Sequence, residues 1–253
     1  SAASDVYKRQ AQTRVHDVTT SEASMTLRYA PGESFVNSKQ RRVPVSLDAP
    51  VFTLTHAMGF KGVLGGEYNF NRTEASIWKR FWLPASWGKI DCSVKAGAEW
   101  NTVPFPLLIL PEANLSYITQ RETFCLINNM EFLNDRFASM SISYDMNGKL
   151  FNRIPLLKNL KWREMFRVRA LWGTLTDKNN PFKSSNPDLF RFPTRDGKFT
   201  SFVMDPKVPY VEASVGIYNI FKLLHVEYVH RFTYRDNPGI NKNGIRFMVL
   251  MVF

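Results

Sequence analysis

Four histidines and two cysteines are the residues of this sequence with the most chemistry to offer, and their spacing argues against using it. His16, His56, His225 and His230 are accompanied by no Gly-x-Ser-x-Gly, His-Glu-x-x-His or Walker motif. His225 and His230 are five positions apart, so on a strand their rings leave from opposite faces and share no metal. His56 beside Thr55 is the one pair that echoes the rim hydroxyl/histidine arrangements of membrane-embedded hydrolases, and a polar residue at a strand end explains it better. Cys92 falls on the oily side of an alternating segment and Cys125 on the wet side of another, so two free thiols are expected, not a bridge. These residues point to no enzyme, no metal and no cofactor.

Charges carry more weight. Asp145, Arg167, Arg169, Glu212, Glu227, Arg231 and Arg246 occupy the polar side of five consecutive alternating segments. In a membrane barrel such residues line the lumen, where they either guide a substrate or form a cross-strand ladder of ion pairs that fills the interior. A second feature is the stretch Thr176 to Val208, with six basic residues against four acidic ones and several Asn-Pro and Asp-Gly pairs. It reads as a long irregular loop that either meets lipopolysaccharide phosphates or a protein partner, or is simply solvated.

The elements that must position these charges show period-two alternation. Ala23, Met25, Leu27 and Tyr29 alternate with Glu22, Ser24, Thr26 and Arg28. Ile90 to Glu99 and Val211 to Ile217 repeat the pattern, and it is cleanest where Ala138, Met140, Ile142, Tyr144 and Met146 oppose Ser139, Ser141, Ser143 and Asp145. Further strands are expected near Arg41 to Leu47, Val51 to Met58, Glu67 to Trp78, Phe124 to Leu133, Met165 to Leu175, Val226 to Tyr234 and Gly244 to Phe253, about eleven in all.

The chain has 253 residues, 44% of them hydrophobic, and a formal charge of +11, which suits partners bearing acidic groups. No apolar run approaches the roughly 18 residues of a membrane helix. Segments near ten residues are longer than average sandwich strands and match the about 9 to 11 of membrane barrel strands. The expected fold is therefore all-β, an antiparallel up-and-down outer-membrane β-barrel of about 10 to 12 strands. Its outward belt would include Met140, Ile142, Tyr144, Val211, Val215, Phe247, Val249 and Met251. The alternative is a soluble, basic β-rich binding module for acidic glycans or nucleic acid. Nucleic acid is disfavoured, because Tyr29, Tyr144, Phe166 and Phe232 follow the apolar positions instead of clustering with Lys and Arg.

Several motifs support the membrane reading. Glu99-Trp100-Asn101-Thr102-Val103-Pro104-Phe105-Pro106, Asn129-Met130-Glu131-Phe132-Leu133-Asn134-Asp135-Arg136-Phe137, Arg153-Ile154-Pro155-Leu156-Leu157, Gly216-Ile217-Tyr218-Asn219-Ile220-Phe221 and Arg231-Phe232-Thr233-Tyr234-Arg235-Asp236-Asn237-Pro238-Gly239 stand in this sequence. Together they resemble the C-terminal barrel of a Bacteroidota outer-membrane family of unknown function. Full-length members of that family carry an N-terminal carboxypeptidase-regulatory-like domain. The resemblance implies an outer-membrane location, with lipid and lipopolysaccharide as neighbours, and no catalytic activity. The last three strands also resemble, distantly, the insertase barrels BamA and TamA, whose Val-Arg-Gly-Phe/Tyr loop motif is absent; Asp135-Arg136-Phe137 is a partial echo.

Counting back from an inner C-terminus, Asn147 to Glu164 and Asn219 to His225 become inner connections, while Thr176 to Val208 and Arg235 to Asn243 become outer loops. Asp5-Val6-Tyr7-Lys8-Arg9-Gln10 resembles a translated adapter remnant, and residues 1–20 are expected to form a stub ahead of a barrel region spanning 21–253. The barrel is expected to be the C-terminal part of a larger one. In isolation it should be an open, curved sheet with edges near Glu22 to Tyr29 and Gly244 to Phe253, or a small barrel closed artificially between them.

Overall fold

The computed structural model describes residues 18–37, 42–44, 48–113, 123–183, 189, 192, 194–195 and 197–249. Nine of its strands form one antiparallel sheet in sequence order. They are β1 (Glu22–Tyr29), β2 (Val51–Gly59), β3 (Phe70–Trp82), β4 (Lys89–Glu99), β5 (Arg136–Asp145), β6 (Arg163–Thr174), β7 (Tyr210–Ile220), β8 (Leu224–Arg231) and β9 (Asn243–Val249). Each sequence neighbour in this set pairs with the next, so the order is up-and-down with no crossover. The sheet is not closed: among the described residues β1 and β9 are edges. It is nevertheless strongly curled, because Val51 and Thr53 of β2 and Met248 of β9 line the same cavity.

About eleven strands are expected; among the described residues the main sheet has nine, and four short strands form two separate hairpins. Phe124 to Leu133 is not a strand. It is irregular chain touching its surroundings through isolated bridges, Ala113 to Phe124 and Phe132 to Phe202. Its apolar residues made it look like a doubly buried strand, but Met130 adopts a left-handed backbone (φ 60°) that no strand accommodates. Of the expected strand Arg41 to Leu47, the described residues Arg42–Pro44 pair with Phe35–Asn37 in a separate hairpin, and the others lie outside the described residues. Residues 250–253, with Met251, and residues 1–17 of the expected stub lie outside the described residues.

Alternation makes the two faces of the sheet chemically distinct. The register aligns Leu27 with Leu54, and further along Val94 with Met140 and Val215 with Phe166 and Tyr228, all on one face. Of the expected belt, Val215, Phe247 and Val249 are exposed, and Met140, Ile142, Tyr144 and Val211 are partly exposed. The opposite face carries Arg28, Thr53, Ser76, Asp91, Ser143, Arg167 and Glu212.

Connections divide by end. At one end lie the turn 83–88, the connection 146–162 and the turn 221–223; the 30–50 connection, which holds the hairpin, joins them there. In the first turn Gly88 (φ +91°) brings its backbone against the Asp145 carbonyl, where an added Cβ would stand 1.8 Å away. In the second, a short helix α1 (Pro155–Leu160) begins with proline in its first turn and stops at left-handed Lys161. The other end carries 60–69, 100–135, 175–209 and 232–242. The described residues 123–135 fold inward over the charged face, and the apolar core is built with them. Phe124, Ile127, Phe132, Leu171, Met204 and Tyr210 form one cluster, and Phe70, Val103, Leu108, Leu133, Leu175 and Phe192 another.

Candidate functional site

The charged face gathers a buried network around segment 123–135. Register places Arg169 of β6, Glu212 of β7 and Arg231 of β8 in one row across the sheet. The Arg169 guanidinium donates to Glu212 at 2.9 Å. The same carboxylate accepts the backbone N–H groups of Cys125 (2.9 Å) and Leu126 (3.1 Å) and the Tyr210 hydroxyl (2.8 Å). Arg231 spends all five donors: two contacts to the Glu131 carboxylate at 2.6 and 3.0 Å, and one each to the carbonyls of Leu126, Thr233 and Tyr234. Its plane lies 4.8 Å from the Tyr210 ring. A saturated guanidinium fork with a carboxylate partner is what makes a fully buried arginine tolerable.

One row along, Arg167 of β6 pairs with Glu227 of β8 at 3.1 Å, and Glu227 also receives the Ser214 hydroxyl and lies 3.3 Å from His225 Nε2. Arg246 of β9 donates to the Cys125 carbonyl. Asp145, at the end with the short turns, accepts from the Tyr218 hydroxyl and lies 3.8 Å from the Lys89 ammonium. The buried ladder thus runs from β6 to β9 and is continued by segment 123–135, which supplies both a carboxylate and backbone groups.

Segment 100–135 is also tied to the long loop. Asp135 accepts from the backbone N–H (3.0 Å) and hydroxyl of Thr176 and from the Asn179 side chain (3.0 Å). Asn134 is pressed against Gly173, where any Cβ would stand 2.4 Å from its side chain. Phe202 donates its N–H to the Glu131 carbonyl and accepts from Leu133 N–H, which ties it to segment 123–135. On the interior side, residues of β2 to β6, with Glu112, Phe124 and Met248, line a cavity of about 590 Å³.

The family of unknown function described as the DUF5686 C-terminal domain matches residues 5–182. The chain belongs to that family. Among curated proteins no match is found. The matched part of this DUF5686 C-terminal domain takes in β1 to β6 and the segment over the charged face.

All seven charges singled out from the sequence lie on the charged face, three of them within the matched residues, and six of the seven, Asp145 being the exception, are buried. Segment 123–135 covers the face where Glu212, Arg231 and Arg246 lie, while Asp145, Arg167 and Arg169 also line the interior cavity. Sequence reasoning missed Glu131 and Asp135, which complete the network and are 1% and 0% exposed. The available signal was one carboxylate, Glu131, inside the apolar stretch Phe124 to Leu133, and a second, Asp135, just beyond its end. His56 faces away from Thr55 and bonds Thr73 at 2.9 Å, so the two form no hydroxyl/histidine unit. His225 points into the network while His230 bonds Asn243 on the other face. Among the described residues no cluster suited to a metal ion occurs.

Cys92 and Cys125 are free thiols. Cys125 is not on a strand; it sits under the network, 3.4 Å from Arg169 Nη1. Burial pushes its thiol above the ordinary range, and the Glu212 and Glu227 charges push the same way against Arg169 and Arg246. Because the thiolate is the reactive form, Cys125 is expected to resist iodoacetamide at about pH 8 in the native protein and to react fully in urea. Mass spectrometry of the Cys125 peptide checks this; rapid native alkylation would contradict the burial.

Proposed function

We propose that the chain is a plugged, membrane-spanning part of an outer-membrane β-barrel, with its apolar face in lipid and its charged face enclosed. One observation carries this reading: the sheet is inside out relative to a water-soluble domain. Glu99, Arg169, Glu212, Glu227 and Arg231 are at most 2% exposed, whereas Met25, Leu27, Val215 and Val249 are 50% exposed or more. Water drives the opposite partition. A bilayer demands this one, since an intramembrane charge is tolerated only toward an interior where it finds a partner.

Two further features support it. Exposed aromatics collect at both ends, Phe81, Trp82 and Phe221 at one and Trp100, Phe182 and Phe232 at the other, as expected of interfacial girdles. One end has two tight turns, 83–88 and 221–223, and the other has the two longest connections, 100–135 and 175–209, a contrast in keeping with the periplasmic and outward sides of such barrels. On this reading α1, with exposed Ile154, Leu156 and Leu160 beside Arg153, Lys158 and Lys161, rests in the inner headgroup layer. The outward loops meet lipopolysaccharide and a protein partner. The role is transport, assembly or surface interaction without catalysis. The Bacteroidota origin, the preceding carboxypeptidase-regulatory-like domain and the distant kinship with insertase barrels belong to the same proposal.

Fractionation of cells that produce the protein tests it. The chain is expected in the outer-membrane fraction, retained through a high-salt wash and released only by detergent. Release by salt alone would overturn the membrane reading in favour of a basic soluble module.

A further inference from the structure

The interior cavity exists because the residues beneath it are small. Register aligns Trp78, Ser93, Ser141 and Arg169 in one row across β3 to β6, and Arg80, Asp91, Ser143 and Arg167 in the next. In both rows long side chains stand on β3 and β6, while β5 between them carries serine. Ser139 continues the floor along β5, and Ser76 and Thr53 extend it toward β2. The result is a trough of about 590 Å³, within the roughly 300 to 1,000 Å³ of small-molecule sites. Hydroxyls pave it, and its walls combine Trp78, ion-paired arginines, lysines and carboxylates, and apolar residues such as Phe124, Met165 and Met248.

The charged atoms of those walls that a ligand can reach are already matched; Arg169 Nε and Nη2 lack hydrogen-bond partners among the described residues but are fully buried. Arg80 forks onto Asp91 at 2.6 and 2.9 Å. Lys89 lies 3.8 Å from Asp145, and Lys95 faces both Glu74 and Glu112. Arg167 and Arg169 hold Glu227 and Glu212. A ligand with net charge would have to break one of these pairs and leave its partner uncompensated, which is costly away from bulk water. The chemistry left over is hydroxyl groups that both donate and accept, further lone pairs on the Asp91 and Asp145 carboxylates, and the face of the Trp78 indole opposite the Arg80 guanidinium, which lies 5.4 Å from the ring centre. A neutral molecule with many hydroxyls and an apolar C–H face matches that inventory.

We propose that this trough is a carbohydrate-binding site for a neutral mono- or disaccharide. Trp78 packs against the sugar ring, Ser93, Ser141 and Ser143 exchange hydrogen bonds with its hydroxyls, and Asp91 accepts from them. The assignment stands on the cavity itself and not on whether lipid surrounds the outer face.

Saturation-transfer NMR on the full chain, in a detergent lacking a sugar headgroup, tests it with N-acetylglucosamine and maltose as probes and inorganic phosphate as the charged comparison. At least one sugar is expected to bind saturably, and phosphate is expected not to displace it. Ser93→Val combined with Ser141→Val fills the floor and removes two hydroxyls, so affinity is expected to fall at least about tenfold. Ser141→Ala keeps the space open and is expected to cost only a few-fold. Circular dichroism of each variant confirms that the sheet remains. Absence of binding by both sugars, displacement by phosphate, or undiminished affinity in the folded double variant would overturn the proposal.

Discussion

Arg231→Met is expected to lower stability by about 3 to 5 kcal/mol, read as a shift in the urea-unfolding midpoint in detergent micelles. Arg231 is 0% exposed and satisfies the Glu131 carboxylate together with three backbone carbonyls. Its removal leaves a buried carboxylate with only the Asn128 N–H and the Asn237 side chain as partners. Lysine does not substitute: a point charge with three donors cannot reproduce a five-donor fork, so Arg231→Lys should also be clearly destabilised. Because the lost partner sits on segment 123–135, that segment should become the first site of proteolytic cleavage. Adding Glu131→Gln to Arg231→Met removes the stranded charge and is expected to restore part of the loss. A double variant as unstable as the sum of the two single variants would mean the pair is not coupled, contrary to the geometry.

The contrast between β5 and segment 123–135 explains which parts of the fold were legible in the sequence. Ala138 to Met146 alternates without exception, and the strand Arg136–Asp145 follows, because period two is a local property that each side chain reports for itself. The same logic separated the exposed apolar face from the charged one on β7, where Val211, Ala213 and Val215 oppose Glu212 and Ser214. Phe124 to Leu133 carried equally strong hydrophobicity but no period, and its fate was set by partners far along the chain. Glu131 meets Arg231 at a separation of 100 residues, and Cys125 meets Arg246 at 121. Neither contact leaves a trace in the local pattern. The charged residues of β6 to β9 were recognisable as an inward set, yet the register that puts Arg169, Glu212 and Arg231 in one row, and Ser93 beside Ser141, depends on turn lengths that fix pairing. The cavity was illegible for the same reason: five serines spread over three strands become a floor only after alignment.

The surrounding medium decides the largest remaining effect. Val215 lies mid-strand on β7, is 50% exposed, and has Phe166 and Tyr228 as lateral neighbours. If that face meets water, Val215→Arg is a surface change and should alter stability by no more than about 0.5 kcal/mol. If it meets the bilayer midplane, the same change should cost about 2 to 4 kcal/mol, because the guanidinium must be dragged toward the headgroups or solvated in hydrocarbon. Phe221 provides the internal control. It is 82% exposed in the turn between β7 and β8, at the expected interface, where a charge costs only about 0 to 1 kcal/mol. Refolding into phospholipid vesicles across a urea series should therefore separate Val215→Arg from both the parent and Phe221→Arg. The separation should vanish in a detergent whose headgroups reach the sheet more easily. Equal midpoints for all three chains in vesicles would place the apolar face in water and defeat the lipid assignment, whatever the buried network does.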